Sequence, residues 1–185
     1  MGRFSATYND FIYRGFVRNR LSNTLFEVTG TVTGAQSTTV LIDENATFIT
    51  DGVMVGDTVT MDVSGETALV ASVDSETQLT TAALSGADTY DPADAYTIDN
   101  GDVLRVCIYH GADKRHFIRE IAGGSDNATG SIAIYLDNNA SVPVYLVPFQ
   151  QATMFSISPD IAVTEPGVPI IIEVGISSAS SRLVS

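Results

Sequence analysis

From Thr29 to Ile98 the chain is a succession of short alternating segments divided by Asp-Gly, Gly-Asp and Ser-Gly turns. That spacing leaves little room for anything but β-structure. Phe26, Val28, Gly30 and Val32 alternate with Glu27, Thr29, Thr31 and Thr33, the period-two pattern of a half-buried strand. Thr38 to Ile42 predicts a second strand. Asp51-Gly52 and Gly56-Asp57 read as turns around a very short extended piece. Thr58 to Val63 predicts a third strand, with Val59, Met61 and Val63 on one face. Ala68 to Val73 and Gln78 to Thr81 flank the turn Asp74-Ser75-Glu76. Tyr96-Thr97-Ile98 returns the chain to a strand after the loop at 85–95. Five or six strands in so short a stretch predict a small barrel or sandwich.

The second half carries the same signals. Val103 to Tyr109 predicts a strand, and His116 to Ile121 either a returning strand or a short helix capped by Asp113. Ser131 to Leu136 and Val142 to Val147 predict a hairpin around Asp137-Asn138-Asn139-Ala140. Met154 to Ile157 and Val168 to Ile176 are the last predicted strands, and Pro159, Pro166 and Pro169 argue for edge positions. The expected fold is all-β: two β-sandwich or small-barrel lobes with an N-terminal arm. The expected division is an arm at 1–24, a barrel or sandwich module at 25–99 and a sandwich lobe at 100–185. The strand near Leu25 is a candidate to complete the later lobe.

Charge sets the arm apart. The net charge is −13, and residues 1–20 hold Arg3, Arg14, Arg18 and Arg20 against Asp10 alone. That segment is +3 by count, so the remaining 165 residues carry −16. The acidic body disfavours nucleic acid, whose phosphates it repels. Residues 1–24 also hold Phe4, Tyr8, Phe11, Tyr13 and Phe16, five of the fifteen aromatics. Tyr8, Phe11, Ile12 and Phe16 fall near helical spacing, Gly15 weakens a helix, and an extended arm fits as well. Aromatics and arginine are favoured at protein interfaces. Arg3, Phe4, Tyr8, Phe11, Tyr13, Arg14, Phe16, Arg18 and Arg20 are therefore the candidate interface residues. Packing of this arm on its own domain is the alternative.

Residues suited to chemistry are few. Cys107, the single cysteine, sits in the apolar run 103–109 and reads as a buried hydrophobe. His110 and His116 are the only histidines, and their spacing from Cys107 matches no nucleophile–base arrangement. Asp88, Asp91, Asp94, Asp99 and Asp102 crowd one segment, either a solvated acidic loop or a calcium site without EF-hand spacing. Asn45, Asn127 and Asn139 open glycosylation sequons. No apolar run reaches the roughly 18 residues of a membrane span, and the opening residues lack the apolar core of a secretory signal. No catalytic residue, metal ligand set or cofactor motif is assigned, so the expectation is a protein without enzymatic activity.

The segments Thr39–Asp43, Ala46–Phe48, Asp51–Val59 and Ala71–Leu79 resemble a module of virion structural proteins of tailed phages, many from marine and environmental sources. The resemblance covers about 60 residues by turn and strand pattern. It implies a nonenzymatic virion component, foremost a capsid decoration or cement protein assembled in the host cytoplasm. Its implied partners are the major capsid protein or another virion protein, and sister copies, with a trimer fitting a three-fold site. A neck, tail or fibre component, and a polysaccharide- or calcium-binding surface module, remain the alternatives.

Overall fold

The computed structural model describes residues 25–86, 88–101, 103–109, 111, 113, 117–118, 121–123, 129–150, 155–157, 161–162 and 165–176. Within them the fold is nearly all β, with two principal antiparallel sheets, one of them curled into a half-barrel. In chain order the elements are β1 (Glu27–Thr31), β2 (Val40–Ile42), α1 (Phe48–Asp51), β3 (Thr58–Met61), β4 (Thr67–Ser75), β5 (Gln78–Thr81) and β6 (Ala95–Asp99). They continue as β7 (Val103–Ile108), β8 (Phe117–Ile118), β9 (Ile121–Gly123), β10 (Thr129–Leu136), β11 (Tyr145–Gln150), β12 (Phe155–Ile157), β13 (Ile161–Ala162) and β14 (Ile170–Ile176).

The half-barrel has the strand order β1-β6-β3-β4-β5-β2. Alternation of Thr with Val, Ile, Leu and Met puts one face of each strand inward. In β3, Val59 and Met61 are buried while Thr58 and Thr60 are half-exposed. Two register shifts interrupt the β4–β5 ladder, between Val70 and Ser72 and between Val73 and Ser75. Such bulges bend a strand and sharpen its twist, which suits a sheet that must curl. Phe48, Leu41, Leu79, Tyr90, Tyr96 and Ile98 fill the concave side, all essentially inaccessible to water.

Several expectations are corrected here. Val63 is 84 % exposed, not inward with Val59 and Met61, because β3 ends at Met61. The amide of Gly65 then closes a turn on the Met61 carbonyl. The strand after Leu25 does not complete the later sheet: β1 pairs with β6 at the edge of the half-barrel. The turns expected at Asp51-Gly52 and Gly56-Asp57 are present, but the first closes one helical turn, with Gly52 at φ 82°, and the piece between them runs into a tight turn in which Asp57 N–H donates to the Met54 carbonyl. The helix start is held by Glu76, whose carboxylate accepts the amides of Ile49 (2.9 Å) and Thr50 (3.0 Å).

The second sheet has the order β11-β10-β14-β7. The predicted hairpin is present, with β10 and β11 antiparallel and Ile134 opposite Tyr145, but its second strand begins at Tyr145 and runs to Gln150 where the sequence predicted Val142 to Val147. Pro169 does not mark an edge: it immediately precedes β14, a central strand, and its carbonyl accepts the Asp137 amide. Pro148 does lie in an edge strand, β11, where a missing ladder donor is tolerated. Of the segment 116–121, the described residues are those of β8 and the first of β9, which pair with β13 and β12 in separate two-stranded ribbons.

One glycine is required by packing. A Cβ on Gly30 would land on the Tyr96 hydroxyl and lie 2.5 Å from Asp43 Oδ2. That space is occupied by a buried hydrogen bond, Tyr96 Oη–H to Asp43 Oδ2 at 2.9 Å. Gly30→Ala is therefore expected to lower unfolding free energy by about 1–3 kcal/mol, the usual range for overpacking. Urea denaturation checks this, and a change within a few tenths of a kcal/mol would refute it.

Candidate interaction surface

The two sheets meet at a polar joint built around Arg105. Period two on β7 puts Arg105 on the same face as its register partner Glu173 on β14. Its side chain is 1 % exposed. The guanidinium grips Asp57 with two contacts, Nη1 to Oδ2 at 2.6 Å and Nη2 to Oδ1 at 2.8 Å. Nε and Nη2 donate to Glu173 Oε1, and Nη1 donates to the Gly52 carbonyl at 2.9 Å. All five guanidinium N–H donors thus have acceptors inside the fold. The Phe26 ring lies 3.9 Å from the guanidinium carbon, a cation–π stack. Burial alone would weaken the charged form, but Asp57 and Glu173 outweigh it and raise the Arg105 pKa above its ordinary value. Asp57, wholly buried, also accepts the Met54 amide (2.7 Å) and the Asn100 side-chain amide (2.9 Å).

A second tie comes from the loop between β10 and β11. Asp137 adopts φ 89°, a left-handed conformation that turns the chain toward the half-barrel. The Asn138 carbonyl then accepts the Val55 amide at 2.9 Å, and its side-chain amide donates to the Val53 carbonyl at 2.6 Å. Asn139 treats Val73 as a strand partner would: Oδ1 accepts its amide (2.7 Å) and Nδ2 donates to its carbonyl (3.1 Å). A depression of about 110 Å³ lies beside this tie, bordered by Ile49, Val73, Asn138 and Pro169. Its size is well below the roughly 300–1,000 Å³ of small-molecule sites. Asn138 is 2 % exposed. Asn138→Ala removes the donor to Val53 and is expected to cost about 1–3 kcal/mol. A thermal melt unchanged from the parent would refute it.

The far edge of the second sheet is different in character. Leu146 shares a face with Ala133, Glu173 and Arg105 by register. At the β7 end that face is covered by the half-barrel. At the β11 end it is open: Val142, Val144 and Leu146 are 71 %, 51 % and 60 % exposed. They are spaced by two residues and make one apolar row that leads into the edge strand, with Leu146 in β11 and Val142 and Val144 just before it. An uncovered apolar edge is a ready template for another chain.

The sequence candidates fall as follows. Arg3, Phe4, Tyr8, Phe11, Tyr13, Arg14, Phe16, Arg18 and Arg20 lie outside the described residues, as do His110, His116, Asp102 and Asn127. Cys107 is partly buried and donates to the Ile49 carbonyl at 3.3 Å. Burial, with the negative charges of Glu76 and Asp51, pushes its thiol up to about 12. In the acidic loop Asp88 and Asp91 each bond Thr89, while Asp99 caps the Gly101 amide. No group of three or more His, Cys, Asp or Glu able to hold a metal ion occurs among the described residues. Asn139 spends its side-chain amide on Val73, leaving it badly placed to carry a glycan. Among the described residues no helix is long and apolar enough to cross a membrane, which leaves a membrane β-barrel unaddressed. The Asp57–Arg105–Glu173 cluster was missed, although its signal was present as charges embedded in the apolar runs 103–109 and 168–174.

No protein-family model, curated protein or solved structure matches the chain.

Proposed function

We propose that the chain is a nonenzymatic structural protein of a tailed-phage virion, a capsid decoration or cement protein that works by adhesion. The observation that carries this reading is the use made of its buried charge. Arg105, Asp57 and Glu173 are spent on one another and on the backbone, tying two sheets together. A catalytic site instead keeps such groups aimed at a substrate. Two further observations support it. The strand and turn pattern of 39–59 and 71–79 resembles a virion module, and the +3 segment at 1–20 is matched electrostatically to a −16 body. The partner is then the capsid lattice and sister copies, where many weak contacts gain strength through avidity.

Quantitative mass spectrometry of particles purified from cells that carry the gene tests this. The expected result is the chain in the particle, in copy number that scales with the shell. Recovery only in the soluble lysate, free of particles, would overturn the reading. Copy number fixed while shell size varies would move it to the neck or tail.

A further inference from the structure

We propose that the apolar row made by Val142 and Val144, which lead into β11, and Leu146 within it receives residues 1–24 of a neighbouring copy of this chain, laid along the open edge of the sheet. The inference rests on the assembly reading above and names the surface that reading needs.

Three observations select this occupant. The first is charge. The body is −16, so pressing one β11 edge against another body brings like charge together. Residues 1–20 hold four of the nine Lys and Arg and are net positive. Asp137, in the loop that joins β10 to the row, is exposed. The second is composition. Phe11-Ile12-Tyr13 and Phe16-Val17 are strand-forming residues with apolar side chains to bury. Strand addition to an exposed edge takes its affinity from main-chain hydrogen bonds and its selectivity from alternate side chains. The third is where the described chain begins. The Phe26 amide donates to the Val103 carbonyl of β7, and β7 and β11 are opposite edges of the same sheet. Twenty-four residues extend at most about 80 Å, and a four-strand sheet is only about 14 Å across. Each copy then gives from one edge and receives on the other, a head-to-tail contact that closes into a ring when the rotation allows.

Sedimentation velocity on the full chain tests this with two variants. One carries Val144→Lys and Leu146→Lys, and the other carries Phe11→Ser, Tyr13→Ser and Phe16→Ser. The full chain is expected to form a closed oligomer, and each variant to associate at least about ten-fold more weakly. An equimolar mixture is expected to give one-to-one dimers, because it restores one intact arm-to-edge junction. A Val144→Thr, Leu146→Thr variant, with the urea midpoint of the parent, stands in if the lysines perturb folding. A full chain that stays monomeric at every concentration overturns the exchange, as does an oligomer indifferent to the edge substitutions or a mixture that remains monomeric. The virion reading fails separately. A chain present in particles but indifferent at β11 loses only this docking site. A chain that exchanges arms but is missing from particles loses only the virion assignment.

Discussion

Arg105→Met is expected to lower the unfolding free energy by about 3–5 kcal/mol, the cost of breaking a buried ion pair from one side. The size follows from what is left behind. Asp57 is wholly buried and Glu173 nearly so, with side chains 0 % and 12 % exposed. Without the guanidinium, two like charges face each other across the joint, and the Gly52 carbonyl loses its donor. Methionine keeps most of the volume over Phe26, so the loss reports charge and hydrogen bonding more than a cavity. Adding Asp57→Asn and Glu173→Gln to the same chain removes both uncompensated charges. That triple variant is expected to recover more than half of the loss. Urea denaturation measures both. A single variant within about 1 kcal/mol of the parent, the scale of an exposed pair, would show that the cluster is solvated and does not hold the sheets together. Added salt is expected to change the parent little, because a buried pair is weakly screened.

The same cluster shows what a linear reading can and cannot see. Alternation was legible wherever an element reaches four or more residues with one face buried. Strands β3, β4, β5 and β6 of the half-barrel therefore follow from period-two patterning alone. The one-turn helix at Phe48 was not legible, because four residues carry no helical period and its capping carboxylate, Glu76, lies 27 positions later. Val63 misled because alternation continues two residues past the end of β3, into the turn that closes on Met61. Pro169 misled for a related reason: it sits where β14 begins, and a proline there removes no ladder bond inside the strand. The partnership of Asp57, Arg105 and Glu173 spans 48 and 68 positions, so the residues could be flagged as charges in apolar runs but not paired. The apolar row at β11 was half visible. Val142, Val144 and Leu146 alternate in the sequence as a strand does, although β11 begins only at Tyr145, and the strand order of the described residues puts β11 at an edge.

The second large effect is expected at alkaline pH. Stability should hold to about pH 8.5 and then fall by about 1.4 kcal/mol per pH unit for each group that stays protonated in the fold. Two groups dominate. Burial, with Glu76 and Asp51 adding to it, keeps the Cys107 thiol protonated to about 12. Burial, then the hydrogen bond to Asp43 and the charge of Asp43 and Asp51, raises the Tyr96 phenol far above its usual range. Tyr90 is raised by burial in the same direction, with Thr81 working partly against it. In the unfolded chain the thiol ionises from about pH 8.5 and the phenols from about 10. Between those values and the higher native ones, the native state binds more protons than the unfolded state. Each pH step therefore favours unfolding, and the contribution present below pH 8.5 is progressively lost. By pH 11 Cys107 and Tyr96 together remove about 5 kcal/mol, a large share of the 5–15 kcal/mol typical of a domain. Urea midpoints at pH 8, 10 and 11 read this directly. Cys107→Ala is expected to flatten the decline between pH 9 and 10, and Tyr96→Phe the part above 10. The phenylalanine variant starts from a lower stability at pH 8, because Asp43 loses the donor it holds at 2.9 Å. A parent chain whose midpoint stays level to pH 11 would mean that water reaches both groups, and that the half-barrel opens far more readily than its packing implies.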